Sequence, residues 1–485
     1  VSTGADAAQD VTISASAGAV LDGVKTVRSS AGRATFAASQ LKLTGTAGSY
    51  TMTYSIASPR AISWSQGLTL QVGAASKLAI TRQVTGFVNR TDFSTQPIVE
   101  VQDVSGNKVS STAEITASIS TGTLTGTRIL NAVAGTATYS GLGKTGLVGA
   151  KTLTFSSTGL TSATQDFTLT YGAATKVAKT TPAAGFTTDI AFTTQPVVTI
   201  QDADGNTVEN STATVTITSS GGSPGATLGG TTSMDAVAGV ANFQNKGVKL
   251  SGLVNTYTLT YAATSLTSDT QSVVLTNGAA TKLVVFTQAA GAKNRIAFTT
   301  QPVIEVQDVS GNPVPNSGLT IHAAAAGATL SGTTDIGASA STGKALFTDL
   351  TFTGTASTTG YDITFTATTG SITSTTQTVP LAAGNAYRLA VTPTTQAATN
   401  DVVFDTAPTV TVLDREDNLV TAVTKTIAVT ATGPAHSLIG FSNQALVGGT
   451  TSFSSGKING LVGTYTITYA TTDSALIAAS QTVTL

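Results

Sequence analysis

A mark of the form Phe-x-Thr-Gln-Pro recurs along the 485-residue chain at 93–97, 192–196 and 298–302, with a weaker copy, Phe404-Asp405-Thr406-Ala407-Pro408. The four Phe positions lie 99, 106 and 106 residues apart. Solenoid repeats run to roughly 20–50 residues, so this period is too long for one; it is the size of one small all-β sandwich, about 100 residues. The chain is therefore expected to fold as a string of similar domains, each burying a core of its own.

Other marks keep the same phase. Each unit opens on a short step, Gly73-Ala74-Ala75, Gly172-Ala173-Ala174, Gly278-Ala279-Ala280 or Gly384-Asn385-Ala386. After the Gln-Pro mark comes an alternating β-branched run such as Val303-Ile304-Glu305-Val306, which reads as a strand. That strand ends in the turn Asp103-Val104-Ser105-Gly106-Asn107, repeated as Asp202-Ala203-Asp204-Gly205-Asn206, Asp308-Val309-Ser310-Gly311-Asn312 and Asp414-Arg415-Glu416-Asp417-Asn418. Gly supplies positive φ there, and Asp and Asn close side-chain turns. A Gly-x-Ala/Thr-x-aromatic strand and a strongly alternating Tyr-Thr-Leu-Thr-Tyr strand follow, the latter at 50–54, 257–261, 361–365 and 465–469. Its large side chains take one face and Thr the other, as a half-buried antiparallel strand requires. In the second unit Lys151 stands where the others carry the first Tyr. A last strand is expected after Gln66, Gln165, Gln271, Gln377 and Gln481, and no segment shows a helical period.

The fold class is thus all-β: tandem immunoglobulin-like antiparallel sandwiches forming an extended rod. The units are 1–72, 73–171, 172–277, 278–383 and 384–485. Five domains in line would span on the order of 150–200 Å, and so short a junction should limit bending. The first unit is expected to lack its opening two strands, with Val1, Ser2 and Thr3 aligning just after the Asp-x-x-Gly-Asn turn. Either upstream residues or a neighbouring molecule would then cover the gap.

Only 10% of residues are charged and the net charge is −1. Nucleic acid is excluded as a partner, because phosphate binding needs a concentrated basic face and the 24 Lys and Arg are scattered among 25 acids. No apolar run is long enough for membrane insertion as a helix. The chain has no Cys, so no disulfide supports any unit. A nearly neutral, hydroxyl-rich surface can pack against copies of itself with little repulsion.

Catalysis is poorly provided for: the two histidines, His322 and His436, fall in different units and outside the shared marks. Calcium is the candidate ligand. Asp202, Asp204 and Asn206 place two carboxylates and an amide at alternate turn positions, as hard oxygen ligands are gathered, although the terminal Glu of a full calcium loop is missing. The same turns serve equally as Asp-capped structure. Lys77, Lys176 and Lys282 recur opposite Asp103, Asp202 and Asp308, a spacing that raises an intramolecular Lys–Asp amide, but Arg388 in the fourth copy cannot form one. Asn89 and Asn210 each open an Asn-x-Thr glycosylation pattern. Trp64, the single tryptophan, is expected in a core.

The order Gly-Ala-Ala-x-Lys-Leu, Phe-x-Thr-Gln-Pro, Val-x-Val-Gln-Asp-x-x-Gly-Asn, Gly-x-Ala-x-Phe and Gly-x-Tyr-x-Leu-x-Tyr resembles the bacterial immunoglobulin-like repeats of large surface proteins, similar to the invasin and intimin stalk domains. The resemblance covers the whole chain. It implies an extracellular, cell-surface location and a structural role without enzymatic activity. The expected function is a repeat segment of a fibre or surface layer that assembles with copies of itself and with other cell-surface components. The alternative is the passive stalk of an adhesin that projects a separate binding tip.

Overall fold

The computed structural model describes residues 8–57 and 61–485. The alignment expected for Val1, Ser2 and Thr3 lies outside them. Among the described residues there is no α-helix, only a three-residue 3-10 turn at Ala38–Gln40. The third unit shows the plan of the complete ones. Its strands are β1 (Lys176–Thr181), β2 (Val197–Gln201), β3 (Thr214–Ser220), β4 (Thr227–Gly229), β5 (Ser233–Asp235), β6 (Val240–Asn242), β7 (Lys249–Ser251), β8 (Thr256–Ala262) and β9 (Asp269–Val274). They form one sheet in the order β1-β2-β6, a second in the order β5-β3-β8-β9, and the small pair β4-β7. All these pairings are antiparallel. The exception is where the first strand meets the last, through the parallel bridges Lys176↔Thr267 and Thr187↔Thr276. This is the immunoglobulin-like sandwich, with the first strand spanning from one sheet to the other.

Alternation in the sequence becomes two facing layers. Val177, Val198, Ile200 and Ala241 from one sheet pack on Val215, Ile217, Leu259, Tyr261 and Val273 from the other, and all are buried. Each such large side chain contributes ~1.5–3 kcal/mol by leaving water. Units two, four and five repeat this with separate cores.

Three signature side chains have backbone partners. Gln195 of the Gln-Pro mark donates to the carbonyls of Phe192 and Val248 and accepts from Val248 N–H, so it ties the entry of β2 to the start of β7. Gln96 and Gln301 do the same. Gln271 lies inside β9, with the strand beginning two residues earlier than the sequence suggested. Its amide bonds both N–H and C=O of Ala183, where the first strand leaves one sheet for the other, and accepts from Tyr261 Oη. A side chain thus replaces a missing ladder rung. Tyr257 at the start of β8 donates to the Leu253 carbonyl four residues upstream and so fixes the loop before it; Tyr50 reaches Thr46 and Tyr361 reaches Thr355 in the same way within their own units. Lys151 in the second unit reaches Thr121 Oγ1 instead.

The described part of the first unit has a single four-stranded sheet plus one strand pair. Its core is Ile13, Leu21 and Met52. The Gly32–Phe36 segment forms no strand, because the strand it would pair with has no counterpart among the described residues. Trp64 is a correction to the sequence reading: it is 62% exposed, with its ring tilted 38° against that of Tyr54. It stands on the face that the other sheet covers in the complete units. Leu68 on the same strand is 42% exposed, whereas its equivalents Phe167, Val273, Val379 and Val483 are buried.

Candidate functional site: the junction clasp

The Asp-x-x-Gly-Asn turn joins consecutive units. Its Asn reaches back into the preceding unit and bonds the loop before the Tyr strand with both ends of its amide. Asn206 donates from Nδ2 to the Gly146 carbonyl at 3.0 Å and accepts at Oδ1 from Val148 N–H at 2.8 Å. Asn107 makes the same pair with Gly45 and Ala47, Asn312 with Gly252 and Val254, and Asn418 with Gly354 and Ala356. In the first, third and fourth units the loop that receives the Asn is the one held by the Tyr hydroxyl, so there the alternating strand of one unit positions the docking point for the next.

The turn's first Asp holds the clasp together from inside. Asp202 Oδ1 accepts from the backbone N–H groups of Asp204 and Asn206, and Oδ2 accepts from Gly172 N–H and from the Asn206 and Asn89 side chains. Gly73, Gly278 and Gly384 likewise donate their N–H to Asp103, Asp308 and Asp414. At two junctions the opening glycine is needed for close approach: a Cβ on Gly172 would sit 2.8 Å from the Asn89 carbonyl oxygen, and one on Gly384 2.5 Å from that of Asn294. Burial alone would raise the Asp202 pKa. The hydrogen bonds from Asn206, Gly172 and Asn89 outweigh it and lower it to about 2. Asp103 is lowered to about 2 in the same way, burial being overcome by Asn107 and Gly73. Asp414 is lowered too, against its burial, by Asn418 and Gly384.

A second contact comes from the loop between the first two strands of the preceding unit, which ends on a residue in left-handed conformation: Arg90 (φ 57°), Asp189 (φ 62°) or Arg295 (φ 60°). Each faces the third residue of the next unit's turn. Arg90 binds Asp204 bidentately at 2.8 and 2.7 Å, Arg295 pairs with Glu416, and Asp189 accepts from the Ser310 hydroxyl at 2.7 Å. Hydrogen bonds from Ser251 and Ser310 lower the Asp189 pKa. The loop is pinned from behind by lysine, a feature sequence reasoning missed. Lys144 is fully buried, donates to the carbonyls of Gly86 and Thr91, and lies 4.6 Å from the Phe93 ring centre. Burial pulls its pKa down to about 8.

The residues proposed for calcium therefore do converge, yet Asp202 faces N–H donors and Asp204 faces a guanidinium. Among the described residues no group of three or more His, Asp or Glu is placed to hold a metal ion. Lys77 donates to the Val104 carbonyl, while Asp103 faces Gly73 and Asn107. His322 contacts Asp335, and His436 contacts the Pro434 carbonyl. Of the two glycosylation patterns, Asn89 is buried in the clasp and Asn210 is exposed.

No family model and no curated protein sequence matches the chain. The solved structures it resembles include invasin, a bacterial integrin-binding protein, at 13% identity over 84% of this chain and 78% of that one, with a TM-score of 0.28. The Escherichia coli adhesin FdeC matches at 16% identity over 64% of this chain and 99% of that one, with a TM-score of 0.29. Domains 1–6 of the surface-layer protein SbsC match at 13% identity over 97% of this chain and 62% of that one, with a TM-score of 0.20. Protocadherin ectodomains and β-glucuronidases match as well, so these likenesses concern β-sandwich architecture and not activity.

Proposed function

We propose that the chain is a rigid structural segment of an extracellular surface assembly, a fibre or a layer, in which copies of the rod lie against one another. The observation that carries this reading is the Asn clasp, present at all four junctions with the same donor and acceptor pair. Among the described residues, the hydrogen bonds that cross between units join neighbours in sequence. A protein whose polar side chains are committed to alignment, and whose surface carries few charges, is suited to bear load and to pack.

The edges of the sandwiches favour contact through side chains over added strands. The outermost strands, such as β5 and β6, are only three residues long, which blunts strand pairing between molecules. Exposed valines recur instead at one turn, Val133, Val237 and Val447, each more than three-quarters exposed. Electron microscopy of the purified chain at rising concentration tests the proposal. Straight rods that align into bundles or sheets are expected. Rods that stay separate would favour the adhesin-stalk alternative, and freely bending strings of beads would overturn both.

A further inference from the structure

The fifth unit repeats the receiving half of the clasp. Its loop reads Gly460-Leu461-Val462-Gly463, identical to Gly146-Leu147-Val148-Gly149 of the second unit. Asn400 Oδ1 already accepts from Gly460 N–H at 2.9 Å, as Asn89 Oδ1 does from Gly146 N–H and Asn294 Oδ1 from Gly354 N–H. Asp401 holds the left-handed conformation, φ 59°, of Arg90, Asp189 and Arg295. The parts are therefore pre-arranged. In the occupied junctions Val148 and Val254 give their N–H to the incoming Asn and are 46% and 49% exposed. Val462 has no partner for its N–H among the described residues and is 87% exposed.

The occupied junctions also follow a pairing rule. Basic Arg90 and Arg295 face acidic Asp204 and Glu416, and acidic Asp189 faces the Ser310 hydroxyl. An acid at this loop position next to an acid in the turn would place two carboxylates together in a partly buried contact, which is unfavourable. Asp401 is of the acidic type, and the turns of this chain that suit it are those with Ser105 and Ser310.

We propose that the exposed end of the fifth unit is a docking socket for a further sandwich of this type whose turn reads Asp-x-Ser-Gly-Asn. Gly460 and Val462 receive the Asn amide there, and Asp401 accepts the Ser hydroxyl. Asp401 thus selects against units carrying Asp or Glu at the third turn position. This rests on the reading of the junctions as rigid clasps.

The test extends the full chain after Leu485 with a second copy of residues 276–383, which supplies the Ser310 turn, or of residues 170–277, which supplies the Asp204 turn. Amide hydrogen exchange is then followed by mass spectrometry at the 461–463 loop. With the Ser310 turn the Val462 amide should exchange at least ~10-fold more slowly than in the parent chain, and with the Asp204 turn much less so. Asp401→Arg, at an exposed position, should reverse that preference. An unchanged Val462 rate with the Ser310 turn, or no reversal by Asp401→Arg, overturns the proposal if Val148 and Val254 remain protected. Fast exchange at Val148 and Val254 themselves would overturn the junction reading on which it rests.

Discussion

Replacing Asn206 by Ala separates the clasp from the ion pair beside it. The amide makes two bonds across the junction, to Gly146 and Val148, and one to the Asp202 carboxylate. A neutral bond contributes ~1 kcal/mol net, and the contact with Asp202 lies within the third unit, so the variant should lose on the order of 2 kcal/mol of coupling between the second and third units. Arg90→Ala removes a bidentate contact, but the Arg90 side chain is 52% exposed. Solvent screening then makes it the smaller of the two losses. Exchange of the Val148 amide reads both, since its hydrogen-bond acceptor is Asn206 Oδ1 itself. Each ~1.4 kcal/mol is a factor of ten, so Asn206→Ala should speed exchange by ~30-fold and Arg90→Ala by much less. If Arg90→Ala matched or exceeded Asn206→Ala, or if Asn206→Ala left Val148 protected, the assignment of the clasp to the Asn would be wrong.

Three further outcomes are expected. Gly384→Ala should loosen the junction between the fourth and fifth units, because its Cβ would press on the Asn294 carbonyl, and scattering should report a less straight particle while each unit keeps its own melting transition. Gln271→Leu should lower the stability of the third unit by ~3 kcal/mol, since it strands both polar groups of Ala183 and the Tyr261 hydroxyl in a buried setting; thermal unfolding measures this. Asp103 and Asp202 titrate at about 2 in the folded chain, below their ordinary value of 3.8. Their contribution is therefore complete above pH ~4 and is lost as pH falls through 2, on the order of 2 kcal/mol each, and Asp202→Asn should flatten that part of the unfolding profile.

The architecture was legible because its signals are local. Tyr-Thr-Leu-Thr-Tyr alternates wherever a half-buried strand lies, and a period near 100 can only be a domain. The clasp was visible as a turn but not as a joint. Its acceptor and donor are the backbone of Gly146 and Val148, and backbone groups leave no composition signature. Arg90 and Asp204 are 114 residues apart and pair only because one unit stacks on the next. The same ambiguity attends Asp202, Asp204 and Asn206, since oxygen atoms arranged for a cation and for N–H donors look alike in sequence. Lys144 gave no sign of burial, because the carbonyls of Gly86 and Thr91 that satisfy it are again main chain. Trp64 was misplaced because a tryptophan on an alternating strand is buried only where a second sheet covers it.

If hydrogen-bonded clasps hold the units in line, the alignment should need no metal ion. The chain has no cysteine, so Thr158→Cys in the second unit and Thr369→Cys in the fourth, both exposed, place two spin labels unambiguously. Distances between them by pulsed dipolar spectroscopy should form one narrow distribution in the presence of a chelator, and added calcium should leave it unchanged. A broad distribution in chelator, or one that narrows only with calcium, would contradict the account.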